Sequence, residues 1–232
     1  MSPLLESFEA RTSELVAYVK FIEMIERDSA ALTMPTKKTW KTRKVDEKIL
    51  KILKANFFLL LYNLVEATIR EGFAAVYTAI EADGCSVRQL SLPLRKIWVD
   101  SEYSRLKPST SNPDSYRELG RKLVHDVADD VSATLKVTAL SFGGNLDARA
   151  IRRVCERHGV SPKATKYAKD GEKLLLVKNK RNALAHGVES FVECGRDYTV
   201  AQLDEIKHEA MLYLKAILRN IDAFTAKKTY RA

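Results

Sequence analysis

The chain has 232 residues, with 39 Lys+Arg against 30 Asp+Glu and a formal net charge of +9. It is too long for a disulfide mini-protein, long enough to bury a core as one domain, and at 46% hydrophobic and 30% charged residues too apolar to be disordered. Glycine (9) and proline (6) are scarce, which disfavours an all-β chain needing frequent turns and favours long helices.

The three cysteines, Cys85, Cys155 and Cys194, are far apart and never form a Cys-x-x-Cys pair. Neither a disulfide framework nor a zinc knuckle is expected, and a reducing cytosol fits. The N-terminus carries Glu6, Glu9 and Glu14 where a signal peptide needs basic then apolar residues, and the longest apolar run, Phe57 to Tyr62, is far short of a bilayer span. The expectation is a soluble cytoplasmic protein with no membrane partner. The excess positive charge is compatible with a polyanion, but only if it clusters.

From Pro3 to about Ala31, Phe8, Leu15, Val19, Ile22 and Ile25 fall on one helical face. After a break at Thr33-Met-Pro35, the stretch TKKTWKTRK sets Lys37, Lys38, Lys41, Arg43 and Lys44 around Trp40 without an acid. It reads either as a solvated loop between helices or as a phosphate-contacting patch with an aromatic for base stacking. From Val45 to about Asp83 the pattern is one long helix, apolar on every side between Phe57 and Leu61, hence central to a bundle or part of a subunit interface. Within it Tyr62, Asn63 and Glu66 form a polar island, where a buried carboxylate needs a partner.

Residues 85–113 read as helix interrupted at Pro93, and KPSTSNP (107–113) is the clearest loop, with Asp114 or Ser115 available to cap the helix that follows over 115–137. A turn at FGGNLD (142–147) offers Asn145 or Asp147 as the cap of a short helix to Arg157, closed by Gly159. A helix from about Glu172 to His186 comes next, stopped by Gly187. A last helix opens at the capping-box pattern Thr199-x-x-Gln202 and ends in Lys227, Lys228 and Arg231, charges that suit the negative end of its macrodipole. Between these two, SFVECGRDYTV is expected to hold a short hairpin. His125, His158 and His208 sit among charged residues and read as surface groups. No His/Cys/Asp/Glu set has metal-ligand spacing, so neither a metal nor a cofactor is expected. The architecture is an all-α bundle: a single domain over 1–232, with an N-terminal helix and basic loop (1–44), a core (45–232) and an elaborated middle.

One stretch carries chemistry. LLLVKNKRNALAHG (174–187) places Arg181, Asn182 and His186 at a helix end, with Lys178 and Lys180 just before. Asn182 and His186 share a face, whereas Arg181 points roughly 140° away from His186, so the pair meets through a swung arginine or across a two-fold axis. A histidine exchanges a proton near neutral pH, and an arginine fork stabilises a phosphorane-like anion. RNA supplies its own nucleophile, the 2′-hydroxyl, so a base and an anion clamp suffice. The alternative is a helix-terminal histidine interacting with the dipole.

Arg181-Asn182-x-x-x-His186 resembles the signature of the HEPN superfamily (higher eukaryotes and prokaryotes nucleotide-binding), whose members are small helical bundles. FFLLLYNLVEATIRE (57–71), GGNLDARAIRRVCERHG (143–159), GEKLLLVKNKRNALAHG (171–187) and the helix from Thr199 look like its bacterial MAE-type or RiboL-PSP-associated branch. The resemblance covers most of the chain from Val45 on. It implies metal-independent RNA cleavage to a 2′,3′-cyclic phosphate by a homodimer whose motifs face each other, in a toxin of a toxin–antitoxin or phage-defence system with a cognate antitoxin protein as partner. By carry-over Arg181 and His186 are the catalytic pair and Asn182 supports them. Glu66, with Tyr62 or Asn63, lines the same cleft, unless Glu66 is simply a buried acid paired with a core Arg or Lys. Lys178, Lys180 and the 36–44 basic residues are the RNA contacts. The competing function is a non-catalytic HEPN module that binds RNA or a partner protein as antitoxin or regulator.

Overall fold

The computed structural model describes residues 2–27, 30–35, 39–106, 112–137, 142 and 144–232. Eight helices account for nearly all of its regular structure, with one two-stranded hairpin. The first helix, α1 (Pro3–Arg27), buries Phe8, Leu15, Val19, Ile22 and Ile25, the face its periodicity assigned. It leads into the hairpin strands β1 (Ala31–Pro35) and β2 (Trp40–Lys44), which pair antiparallel with Thr33 opposite Thr42. The basic stretch expected as a loop is therefore largely strand, and Lys37 and Lys38 lie outside the described residues.

The axis of the molecule is α2 (Glu47–Ala82), 36 residues and about 54 Å long. Asp46 starts it by accepting from Lys48 N–H at 2.8 Å. Its apolar girth is explained by its neighbours, since α1 and the last three helices, α6 (Lys173–Ala185), α7 (Phe191–Arg196) and α8 (Val200–Ala226), all pack on it. By length and composition α2 is also apolar enough to cross a bilayer, but burial of Phe57, Phe58, Leu61, Val65, Ile69, Phe73 and Ile80 against those helices is the behaviour of a core helix. The α2–α7 contact requires Gly195: a Cβ there would overlap the carbonyl of Lys51.

A 3-10 turn (Val87–Gln89) and α3 (Leu92–Tyr103) follow, with Pro93 in the first turn of α3, where a missing N–H costs nothing. The next helix, α4 (Pro113–Ala128), is capped by Asn112, which accepts from Ser115 N–H at 2.9 Å; Asp114 and Ser115, the expected caps, are already inside it. It stops well before residue 137, because Asp130 takes a left-handed φ of 52° and Ser132 bridges to Ser86. Asp147 caps α5 (Ala148–His158), and Gly159 closes it. The hairpin expected between the last two long helices is instead α7, begun by a Ser190–Glu193 capping box, and the Thr199–Gln202 box opens α8 as read.

Two further expectations change. Lys228 and Arg231 have a carboxylate partner besides the α8 dipole: both pair with Asp83 at the end of α2, with Arg231 Nε donating at 2.7 Å, and the two cations hold the Asp83 carboxyl down at about 2. His158 is 2% exposed rather than on the surface: Tyr77 Oη lies 2.7 Å from its Nε2 and the Val154 carbonyl 2.7 Å from its Nδ1.

Candidate active site at the end of α6

The site is assembled by α2, α6 and the short segment 144–147. Arg181, in the last turns of α6, donates from Nη1 to Asn182 Oδ1 at 2.9 Å and lays its guanidinium over the Tyr62 ring, Cζ 4.7 Å from the centroid. Tyr62 is buried on α2, where desolvation raises its phenol, and its hydroxyl accepts the N–H of Leu146 at 3.0 Å. Asn182 in turn donates from Nδ2 to Asn145 Oδ1 at 3.3 Å. Gly144, at φ +71°, completes the cradle, since a Cβ there would stand 2.6 Å from Arg181 Nη1. Among the described residues no carboxylate pairs with Arg181. It is a half-buried, fixed guanidinium whose charge no described residue neutralises.

His186 is the C-cap of α6: its backbone N–H donates to Asn182 O at 3.0 Å, and its side chain is exposed and has no hydrogen-bond partner among the described residues. Lys178, Asn182 and His186 recur every four residues along one side of α6. No hydrogen bond joins Arg181 to His186 within the chain.

The two lysines beside the motif are occupied. Lys178 donates to Asp147 Oδ2 at 2.7 Å, and Lys180 reaches Glu189 Oε1 at 2.8 Å while lying 5.6 Å from the Tyr198 ring centroid. Burial works against the charges of Asp147 and Lys180, yet the bond from Lys178 and that from Ala150 N–H keep the Asp147 carboxyl below its ordinary range, and the Glu189 bond keeps Lys180 above its own. Asp147 thereby fastens α6 to the start of α5. Beside this pair, between α5 and the turn before α6, lies a groove of about 550 Å³ whose walls include Arg149, Arg152, Leu175 and Lys178.

The polar island on α2 divides. Tyr62 faces the motif; Glu66, one turn on, is half-buried and pairs with Arg70 at 2.7 Å; Asn63 is exposed. Lys41, Arg43 and Lys44 lie on the hairpin and contribute nothing to the Tyr62–Arg181 cradle. The spacing along the chain marks Asn145 as a helix cap and does not reveal that Gly144 and Asn145 support Arg181 and Asn182; the sequence signal for both is the Gly-Gly-Asn stretch. Among the described residues no group of three or more His, Cys, Asp or Glu is placed to hold a metal.

The family model for MAE_28990-like HEPN matches residues 1–230. No curated protein and no solved structure matches the chain. With that match over nearly its whole length and an all-α bundle carrying Arg181, Asn182 and His186 at one helix end, the chain belongs to the HEPN superfamily, in its MAE-type branch.

Proposed function

We propose that the protein is an endoribonuclease that cleaves RNA by attack of the 2′-hydroxyl, leaving a 2′,3′-cyclic phosphate. The observation that carries this reading is the Arg181 guanidinium, fixed on Tyr62 and Asn182 without a carboxylate partner among the described residues, in the same helix end as the exposed His186. A preorganised, unneutralised cation in a partly buried site is what a developing phosphorane needs.

In the reaction the His186 imidazole takes the 2′-hydroxyl proton as O2′ bonds to phosphorus. Arg181 holds the negative charge on the non-bridging oxygens. The P–O5′ bond then breaks, O5′ takes a proton from solvent water and the imidazolium returns its own to solvent, giving the cyclic phosphate and a 5′-hydroxyl. No metal is needed, because the substrate supplies the nucleophile and the protein the proton acceptor and the cation. The active form on this reading is a homodimer: the motif's two members are not bonded within one chain, and Leu60 on α2 and Leu175 on α6 are 41% and 51% exposed. The cell-level role is that of a toxin in a toxin–antitoxin or phage-defence system.

Purified protein incubated with a panel of RNAs in EDTA tests the proposal. Cleavage with cyclic-phosphate ends is expected, reduced by roughly 10²–10⁴ in His186→Ala and strongly in Arg181→Ala. Equal cutting by all three proteins, or none by any on a broad panel, overturns it. Growth arrest on expression that depends on His186 supports the toxin role; harmless expression that rescues cells from a neighbouring toxin favours the antitoxin role instead.

A further inference from the structure

The three clusters of positive charge have different fates. Among the described residues Lys228 and Arg231 are bound to Asp83, and Lys178 and Lys180 beside the motif to Asp147 and Glu189, which leaves the Arg181 guanidinium and the cations of the hairpin without an ion pair. Lys41, Arg43 and Lys44 make no ion pair with any described residue, and no acid occurs between Asp28 and Asp46. All ten strand residues are exposed, so the ribbon adds nothing to the core. It is about 17 Å long and joined at its base through Val45 N–H donating to Ala30 O at 3.0 Å.

The pairing register fixes its two faces. Leu32 and Met34 stand opposite Arg43 and Lys41 on one; Ala31, Thr33 and Pro35 stand opposite Lys44, Thr42 and Trp40 on the other. Cations therefore occur on both faces, each beside an apolar side chain. A ribbon that dips into a bilayer would segregate them. A flexible polyanion with stackable planar groups fits both faces at once, its phosphates on the cations and a base on Trp40, which is 72% exposed.

From this the geometry points to the two paired strands, Ala31–Pro35 and Trp40–Lys44, as a nucleic-acid-binding arm outside the α6 motif that grips single-stranded RNA. It extends the proposed ribonuclease reading but does not depend on cleavage, and its test is run without cleavage.

The probe is a fluorescein-labelled 20-nucleotide oligouridylate titrated into the His186→Ala protein. Replacing Lys41, Arg43 and Lys44 together by alanine should weaken binding at least ~10-fold near 100 mM salt and flatten the log–log salt slope by about 2, three phosphates at about 0.7 each. Trp98 is buried, so emission accessible to acrylamide comes from Trp40, and the oligonucleotide should shield it. Unchanged affinity and slope in the triple variant overturn the arm, even if the enzyme cleaves RNA. So does the opposite pattern, in which the triple variant loses binding to vesicles of 30% phosphatidylserine while its RNA affinity stays intact. Hairpin-dependent binding by a protein that never cleaves upholds the arm and removes only the catalytic reading.

Discussion

The Arg181 guanidinium rests on the face of Tyr62, and the backbone at Gly144 closes over it so tightly that a methyl group there would stand 2.6 Å from Nη1. Gly144→Ala should therefore push the guanidinium off the ring. The substitution also places a side chain at φ +71°, costing roughly 1–2 kcal/mol and lowering Tm by about 2–8 °C. Displacing the guanidinium by about 1 Å should cost far more in rate, on the order of 100-fold. A variant that loses the same few degrees but cleaves at the wild-type rate would show that Arg181 does not need this cradle.

Arg181 and His186 are not bonded to each other within the chain, and the proposed dimer has a measurable consequence. If each site takes its arginine from one subunit and its histidine from the other, an equal mixture of Arg181→Ala and His186→Ala proteins regains activity. Random reassortment makes half the dimers mixed, each with one whole site, so about a quarter of all sites recover. Sites completed within one chain would stay inactive in the mixture, and light scattering on the same samples would report whether dimers form.

What the sequence could say about this site follows from distance along the chain. Arg181, Asn182 and His186 are legible because they lie within two helical turns. Their supports are not: the Tyr62 hydroxyl meets Leu146 across 84 residues, and Lys178 finds Asp147 across 31. The lysines next to the motif looked available for RNA for that reason. Elsewhere α1, α2 and α8 announced themselves by period, whereas α7 has six residues, too few to show one, and only its Ser190–Glu193 box marks it. The hairpin buries neither face, so no apolar alternation betrays it. His158 was misjudged from its charged neighbours, although Ile151, Cys155 and His158 share the buried side of α5.

That histidine makes stability pH-dependent. Desolvation lowers its pKa to about 4, while an unfolded histidine titrates near 6.5. Between those values the unfolded chain binds a proton that the native protein does not. The stabilisation is complete above about pH 6.5, is lost progressively as pH falls to about 4, and changes no further below that. Its full size is about 3 kcal/mol. His158→Gln keeps a polar side chain near Tyr77 but cannot titrate, so the drop in unfolding free energy between pH 7 and pH 4, from urea melts, should shrink by about that amount. An identical drop in both proteins would mean that His158 is not held neutral. Asp147 and Asp83, whose pKa values are also lowered, lose their contributions in both proteins alike and cancel from the comparison.

The start of α6 is held from outside the helix. Its N-cap residue, Glu172, has helical backbone angles and gives no side-chain cap; the N–H of Lys173 instead donates to Oε1 of Glu209 on α8 at 3.1 Å. Glu209 is buried, and its other oxygen has no hydrogen-bond partner among the described residues, with the ammonium of Lys169 3.5 Å away. An anion at this end suits the helix dipole as well as the orphan N–H. Glu209→Ala should destabilise the protein by about 1–2 kcal/mol and speed hydrogen exchange at the first amides of α6. Glu209→Gln retains the acceptor and loses only the charge, about 0.3–1 kcal/mol, so it should recover most of the stability and nearly all of the exchange protection. If both variants fell equally in thermal melts and in exchange, the Glu209 charge and its ion pair with Lys169, rather than the cap, would be what the residue contributes. Because α6 carries Arg181, Asn182 and His186 at its far end, a cap-driven loss in Glu209→Ala should also lower cleavage, in proportion to the loosening of the helix and with the pH profile of the remaining activity unmoved.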